Sequence, residues 1–425
     1  MDQFIVKGGN KLSGKIVPSG NKNEALPAMA AVLLSEDPIT IHNLPNIGDI
    51  SSMRSILEGL GVSISFKGKS SYQFDASHLI SHEPDQGLAG QIRASFLLIA
   101  PLLHRFNKVK IYTPGGDSIG RRRLDTHIVA LEQLGVEIHQ DGDYYIAKAN
   151  TLKAANILLD EASVLATENA IMAAVVAKGT TTIYNAACEP HVQGLCRMLN
   201  RMGAKIQGLE SNKLVIKGVK ALSGCDHTIQ SDHTEVGSFI GLAAVTKSEL
   251  TIKKPGFNNL QPILPYFERL GVKLEKKGND LLVPADQDLL IQSDYDQSIS
   301  KIDDAPWPGF PSDLTSIMTV VATQCFGTIL IFEKMFESRL FWVDGLIRMG
   351  AKIVLCDPHR AVVVGPSKLR ATELASPDIR AGMALLIAAL CAEGTSEIHN
   401  IHQIDRGYAS IDERLRGIGA DIQRV

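Results

Sequence analysis

A chain of 425 residues is longer than one ordinary hydrophobic core supports, so at least two domains are expected. With 45% apolar residues, 21% charged residues and a net charge of −3, it has the composition of a soluble globular protein. Nothing in that balance attracts nucleic acid or an anionic membrane in general, so a bound anion must be held by local basic groups. The six scattered cysteines form no C-x-x-C pair, which fits reduced, buried thiols better than a disulfide or zinc framework. The start, Met1 to Lys7, lacks the apolar stretch of a signal peptide. Apolar runs such as Phe96–Ala100 are too short to cross a bilayer. A cytoplasmic protein is expected.

In chain order, a phrase of the form L-x-x-[LMI]-G-[VA]-x-[IL] recurs at Leu57–Ile64, Leu131–Ile138, Leu199–Ile206, Phe267–Leu274, Leu346–Ile353 and Leu415–Ile422. Its glycines, 61, 135, 203, 271, 350 and 419, are spaced by 74, 68, 68, 79 and 69 residues, which marks a sixfold internal repeat. The leucine-rich part closes a helix, the glycine ends it in the left-handed conformation, and the alternating residues beyond start a strand. A second strand often follows, as at Tyr144–Ala147, Lys213–Ile216 and Ala361–Val364.

Each unit also holds an earlier, more apolar helix: Leu26–Leu34, Ala94–Leu103, Asn169–Ala177, Gly237–Val245, Leu314–Cys325 and Ile379–Cys391. A helix apolar on all sides must be buried on all sides. The expected fold is therefore α/β: two domains, each with three central helices wrapped by sheets. Each repeat reads strand-helix-strand-helix-strand-strand. The polar stretch 222–232 is the natural boundary, giving one domain over 22–231 that carries the loop at Asp117, and a second over 1–21 plus 232–425. Residues 1–21 are expected to complete the sheet of the last repeat.

Loops bearing charge next to glycine or proline are the candidates for chemistry. Lys22 and Asn23 lie in Ser19-Gly20-Asn21-Lys22-Asn23-Glu24, before the first buried helix. A lysine at a helix start opposes the dipole unless an anion sits there, or else it is a solvated surface group. Arg93 opens the second buried helix, and Arg380 holds the matching place after Ser376, read as the cap, and Pro377, read as the first helical residue. Arg339 and Arg406 occupy strand-to-helix loops of the last two repeats. Such arginines either form structural ion pairs or line an anion site, for which the guanidinium fork suits phosphate and carboxylate.

The segment Pro114-Gly115-Gly116-Asp117-Ser118-Ile119-Gly120 precedes three arginines, 121 to 123, at a helix start. Its glycines predict a loop free to move. Asp117 either neutralises an arginine or does chemistry. In Pro306-Trp307-Pro308-Gly309-Phe310-Pro311-Ser312-Asp313, Ser312 is placed to cap the next helix. Asp313 is either a favourable charge in the first turn or a base. His399 and His402 lack a ligand-like partner set, so no metal is implied.

Taken together, the sixfold unit, the Ser-Gly-Asn-Lys-Asn segment, the Pro-Gly-Gly loop, Pro308–Asp313 and Ile404-Asp405-Arg406-Gly407-Tyr408 resemble the enolpyruvyl transferase family, in its branch acting on UDP-N-acetylglucosamine. The resemblance runs from about residue 4 to 425. It implies a pair of inside-out α/β barrels, phosphoenolpyruvate and UDP-N-acetylglucosamine as substrates, and no cofactor. Lys22, Asn23, Arg122, Arg339, Arg380 and Arg406 match the phosphoenolpyruvate side. Arg93, the segment Arg122, Arg123, Leu124, Asp125 and Thr126, with Ser163, Val164, Asp313 and Met335, match the nucleotide-sugar side. Asp313 matches the base that takes the sugar hydroxyl proton. Asp117 stands where the usual member has a cysteine that protonates the methylene carbon. The same resemblance implies that this aspartate is the general acid and that fosfomycin, which alkylates the cysteine, is resisted. Arg121, Arg123, Leu165 and His233 also depart from the usual pattern.

Overall fold

The computed structural model describes residues 2–117, 119–120 and 122–425. Two compact units divide the chain: Gly20–Gly116 with Arg122–Gln230, and Met1–Ser19 with Asp117–Arg121 and Ser231–Val425.

In the first unit the buried helices are Lys22–Ala31, the 3-10 turn Arg93–Leu98 continuing into Ile99–Phe106, and Val164–Ala174. Three sheets surround them, containing the strands Ile39–His42, Lys108–Tyr112 and Thr180–Tyr184, which each follow one buried helix. In the second unit the buried helices are His233–Val245, Thr315–Gln324 and Ile379–Cys391, and all three pack against one another. Their strands are Glu249–Ile252, Gly327–Phe332 and Thr395–His399. Each unit is thus an inside-out α/β barrel: helices so apolar that they have no solvent face sit inside, and the sheets cover them.

All six repeat glycines adopt positive φ, between 76° and 103°. At each, a helix ends and a strand follows within two residues, or four at Gly271, a conformation that glycine adopts without a Cβ penalty.

The helix starts differ from those expected. The first, third and fourth buried helices begin at Lys22, Val164 and His233, four or five residues before the apolar runs that announced them. Asn21, Ser163 and Asp232 each accept a hydrogen bond from the first turn, so capping sets the boundary and hydrophobicity does not. Two expected caps are corrected. Asp378, and not Ser376, caps the last buried helix, its Oδ1 accepting from the backbone N–H of Arg380 and Ala381 at 2.8 and 2.9 Å, so Pro377 lies outside the helix. The Ser312 hydroxyl is occupied by Arg339 at 2.6 Å and caps nothing.

The repeats exchange strands. Phe4–Lys7 enters the sheet of the sixth repeat between Thr395–His399 and Asp421–Arg424, antiparallel to both, as expected for the N-terminus. Ser13–Ile16 goes elsewhere: it runs parallel to Glu249–Ile252 and supplies the first strand of the fourth repeat. Asp226–Thr228, which precedes the fourth repeat in sequence, pairs with Ile39–His42 and supplies the first strand of the first repeat. The second repeat departs from the six-element pattern, with a three-stranded sheet and the short helix Gln86–Ala89 where a first strand was expected. The loop segment Asp117–Arg121 groups with 231–425 and not with its sequence neighbours, a division finer than a single cut near residue 231. Contacts with Arg406, Glu337 and Ser338 account for it.

Candidate active site

Within the unit that contains 231–425, the C-terminal ends of the parallel strands Lys301–Asp303 and Gly327–Phe332 launch two loops. One carries Asp313, the other Arg339. Arg339 donates to Asp313 Oδ1 at 2.8 Å, and Arg380, near the start of its buried helix, donates through Nε and an Nη to Oδ2, both at 3.0 Å. Both guanidinium side chains are about as buried as core residues, 6% and 5% exposed, whereas Asp313 keeps 28%. Burial opposes the charge on Arg339, but Asp313, Glu333 and Asp378 outweigh it and push its pKa up. The same contest, won chiefly by Asp313, pushes Arg380 up. Arg380 also lies over the Tyr408 ring, 5.5 Å from its centroid, and the Tyr408 side chain adds to the raised pKa. Asp378 is raised by burial and by the neighbouring Asp117 charge, with Arg339 pulling the other way.

Asp117 belongs to this same unit. Its Oδ1 accepts from Arg406 Nη1 at 2.5 Å, and Arg406 donates again to Gln403 at 2.9 Å. Asp117 therefore does neutralise an arginine, one of the two possibilities its sequence left open, and that arginine is a site candidate. The described part of the loop is docked: Ile119 is buried, its carbonyl accepts from Ser338 N–H at 3.3 Å, and a Cβ on Gly120 would meet a Glu337 oxygen at 2.5 Å. Glycine is needed at 116 and 120, where φ is 117° and 125°. Ser118 and Arg121 lie outside the described residues. Met335 is 39% exposed in the loop that precedes Arg339, and His233 places its ring against Trp307, centroids 5.6 Å apart.

The other unit holds the remaining candidates. Lys22 is the first residue of its helix, and its Nζ lies 3.1 Å from Asp49 Oδ2, both side chains nearly buried. The anion demanded at that helix start is thus partly supplied by the protein. Asn23 follows, half-buried, in the first turn. Arg93 donates to the backbone carbonyls of Arg122 and Arg123 at 2.7 and 3.0 Å and so fixes the chain before the helix Asp125–Gln133. Burial and the adjacent Arg122 charge push Arg93 down to about 10. A Cβ on Gly116 would meet an Arg122 guanidinium nitrogen at 3.2 Å, which places that charge against the Pro-Gly-Gly turn.

Arg123 is clamped by Asp125 at 3.0 Å and Asp160 at 2.8 Å, and those hydrogen bonds raise its pKa. Thr126 donates to Asp160 at 2.7 Å, Leu124 is buried, and Ser163 caps the helix that Val164 begins. Leu165, in the first turn of that helix, is half-buried. His127, fully buried edge-on to Phe96, is pushed down to about 3 by desolvation and by Arg93, so it is a neutral packing group.

Sequence reading misses Asp49, Asp160, Asp378, Tyr408 and the acid pair Asp304–Glu333. Asp49 is distant in sequence from the lysine it faces. Asp378 carries a usable signal, an acid two residues before Arg380, but the nearby serine offers a competing cap.

The family model described as EPSP synthase (3-phosphoshikimate 1-carboxyvinyltransferase) matches residues 6–415, and the chain belongs to this family. The enolpyruvyl transferase NikO from Streptomyces tendae shares the fold over 100% of this chain and 99% of its own, with a TM-score of 0.88 at 24% identity. EPSP synthase from Acinetobacter baumannii does so at a TM-score of 0.77 and 18% identity, with both chains fully covered. Within the family its place is among the UDP-N-acetylglucosamine 1-carboxyvinyltransferases. That of Bacteroides thetaiotaomicron is 54% identical with both chains covered completely, and that of Bradyrhizobium diazoefficiens is 52% identical over 100% of this chain and 98% of its own.

Proposed function

We propose that the chain transfers the enolpyruvyl group of phosphoenolpyruvate to the 3′-hydroxyl of UDP-N-acetylglucosamine, with release of phosphate, as the first committed step of peptidoglycan synthesis. Its work belongs in the cytoplasm. Asp313 takes the hydroxyl proton while the oxygen bonds to C2 and Asp117 delivers a proton to C3, giving a tetrahedral intermediate. Loss of a C3 proton and cleavage of the C2–O bond to phosphate then regenerate the double bond. Each proton taken up is returned, so the sum is one phosphate released per enol ether formed.

The observation that carries this reading is the Asp313 carboxylate held between two buried guanidiniums, beside full-length identity of 50% or more to the named relatives. A small trianion needs several fixed cations, and Lys22, Arg122, Arg339, Arg380 and Arg406 are assigned to it, with the neutral Asn23 beside them. Arg93, Arg122 to Thr126, Ser163, Val164, Asp313 and Met335 are assigned to the nucleotide sugar. The ion pairs of the free protein then act as place-holders. Phosphoenolpyruvate oxygens replace the Asp313 and Asp117 oxygens on their arginines, which frees one carboxylate as base and the other as acid. Asp117 takes its proton from the substrate phosphate as the site closes. With no thiol at 117, fosfomycin has nothing there to alkylate.

Phosphate release measured with phosphoenolpyruvate and, in turn, UDP-N-acetylglucosamine, shikimate 3-phosphate or UMP tests the reading. Release with the UDP-sugar alone is expected. Release with another acceptor and none with the UDP-sugar would reassign the substrate, and release with no acceptor would remove the activity.

A further inference from the structure

Asp304 and Glu333 are both completely buried, at the C-terminal ends of the two parallel strands that carry the loops to Asp313 and Arg339. The Asp304 Oδ1 accepts from the backbone N–H of Lys334 at 2.5 Å, which joins one loop to the other at its base. Beyond that bond no cation pairs with Asp304 Oδ2 or with either oxygen of Glu333 among the described residues, and the Thr315 hydroxyl is the one neutral donor beside Glu333. Two ionised carboxylates side by side without a paired cation would cost far more than the fold can carry. A proton between them removes one charge and supplies a donor. Resting on the transferase reading above, we propose that Asp304 and Glu333 share one proton and act as a positioning pair, keeping Arg339 aimed at Asp313 while the proton is present.

The surroundings fit. Burial, with the Asp304 charge, pushes the Glu333 carboxyl up to about 9 against the pull of Arg339. The Thr315 hydroxyl of the buried helix faces Glu333, and the His359 ring bonds the Glu333 backbone carbonyl at 2.8 Å. The Lys334 ammonium is turned to Asp303, at 2.7 Å, and feels the Asp304 charge less than that contact. Arg339 is the buried cation that senses Glu333. With the proton, the pair presents one negative charge behind Arg339, and Asp313 holds the guanidinium from the front. Without it, two charges compete with Asp313 for the same arginine.

The test compares wild type with Glu333→Gln, which keeps a donor and cannot ionise. The ratio of variant to wild-type kcat/KM for phosphoenolpyruvate is expected to rise about tenfold between pH 8 and pH 10, because a one-proton loss costs the wild type about tenfold per pH unit beyond its pKa. Any titration common to both proteins cancels in the ratio. Glu333→Ala should lose activity at every pH, with Gln as the rescuing residue. A flat ratio would overturn the proposal.

Melting needs no substrate and separates the two readings. A raised carboxyl pKa means that the folded state binds the extra proton, so wild-type stability falls as pH rises from the ordinary carboxylate range to about 9. The Tm of Glu333→Gln minus that of wild type should therefore grow over that window, even if no acceptor supports turnover. If Glu333→Gln does not fold, Asp304→Asn is expected to show the same growing difference, and a constant difference in that variant would equally overturn the pair.

Discussion

Replacing Asp313 with alanine leaves two buried guanidinium groups facing each other without the carboxylate that accepts from both. Asp313 receives three N–H groups at 2.8, 3.0 and 3.0 Å. Removing one partner of a buried ion pair costs about 3–5 kcal/mol. Arg339 retains Ser312 at 2.6 Å, and Asp313 is 28% exposed, so the lower end, about 3 kcal/mol, applies. For a unit of this size, roughly 2–4 °C of melting temperature accompanies each kcal/mol, which gives a fall of about 6–12 °C. Inorganic phosphate offers the two arginines new acceptors, so tens of millimolar phosphate should raise the variant's melting temperature more than that of wild type. Turnover should drop by roughly 10²–10⁴-fold with the base gone. Differential scanning in a buffer free of multivalent anions, with and without phosphate, reads both effects. A loss under about 2 °C together with equal phosphate responses would refute the idea that Asp313 is a place-holder on an anion site.

Incubation with fosfomycin should leave position 117 unmodified by peptide mass spectrometry, whereas Asp117→Cys should acquire a stoichiometric adduct there. His127 is buried neutral with a pKa pushed down to about 3, so the unfolded chain takes up a proton that the folded one refuses as pH falls below the ordinary histidine value. That stability is complete above about pH 6.5 and should be reduced by about 2 kcal/mol at pH 5, and chemical denaturation of His127→Asn should show a shallower acid limb than wild type. Gly203 has φ 103° and open space where a Cβ would sit, so Gly203→Ala isolates backbone strain. A cost of roughly 1–3 kcal/mol is expected, read as a melting shift of a few degrees, and an unchanged Tm would show that left-handed glycine is not required at the repeat junction.

The barrel pattern was legible because it rests on local physics repeated six times. A helix-ending glycine followed by alternation is visible in any one copy, and helices without a polar face can go nowhere but inside. The strand exchange was only half legible. Phe4–Lys7 was expected in the last sheet, but Ser13–Ile16 and Asp226–Thr228 trade repeats, and short strands of this kind carry no mark of the partner they choose. The arginines at 339, 380 and 406 could be picked out by their equivalent places in the repeat. Their carboxylate partners could not, since Asp313 and Arg380 are 67 residues apart and Asp117 and Arg406 are 289 apart. The pair Asp304–Glu333 was hidden for a further reason. Each acid lies beside a charged neighbour in sequence, half-buried Asp303 or exposed Lys334, and only full burial sets it apart.

Deuterium incorporation at C3 gives the most direct test of the two-aspartate chemistry. With phosphoenolpyruvate and UDP-N-acetylglucosamine in deuterated water, wild type should form the enolpyruvyl product with deuterium on its vinyl carbon, because the acid that protonates C3 exchanges with solvent. Asp117→Asn should lose both product and label, by at least roughly the 10²-fold expected of a missing acid. Full turnover with full labelling by Asp117→Asn would contradict the assignment.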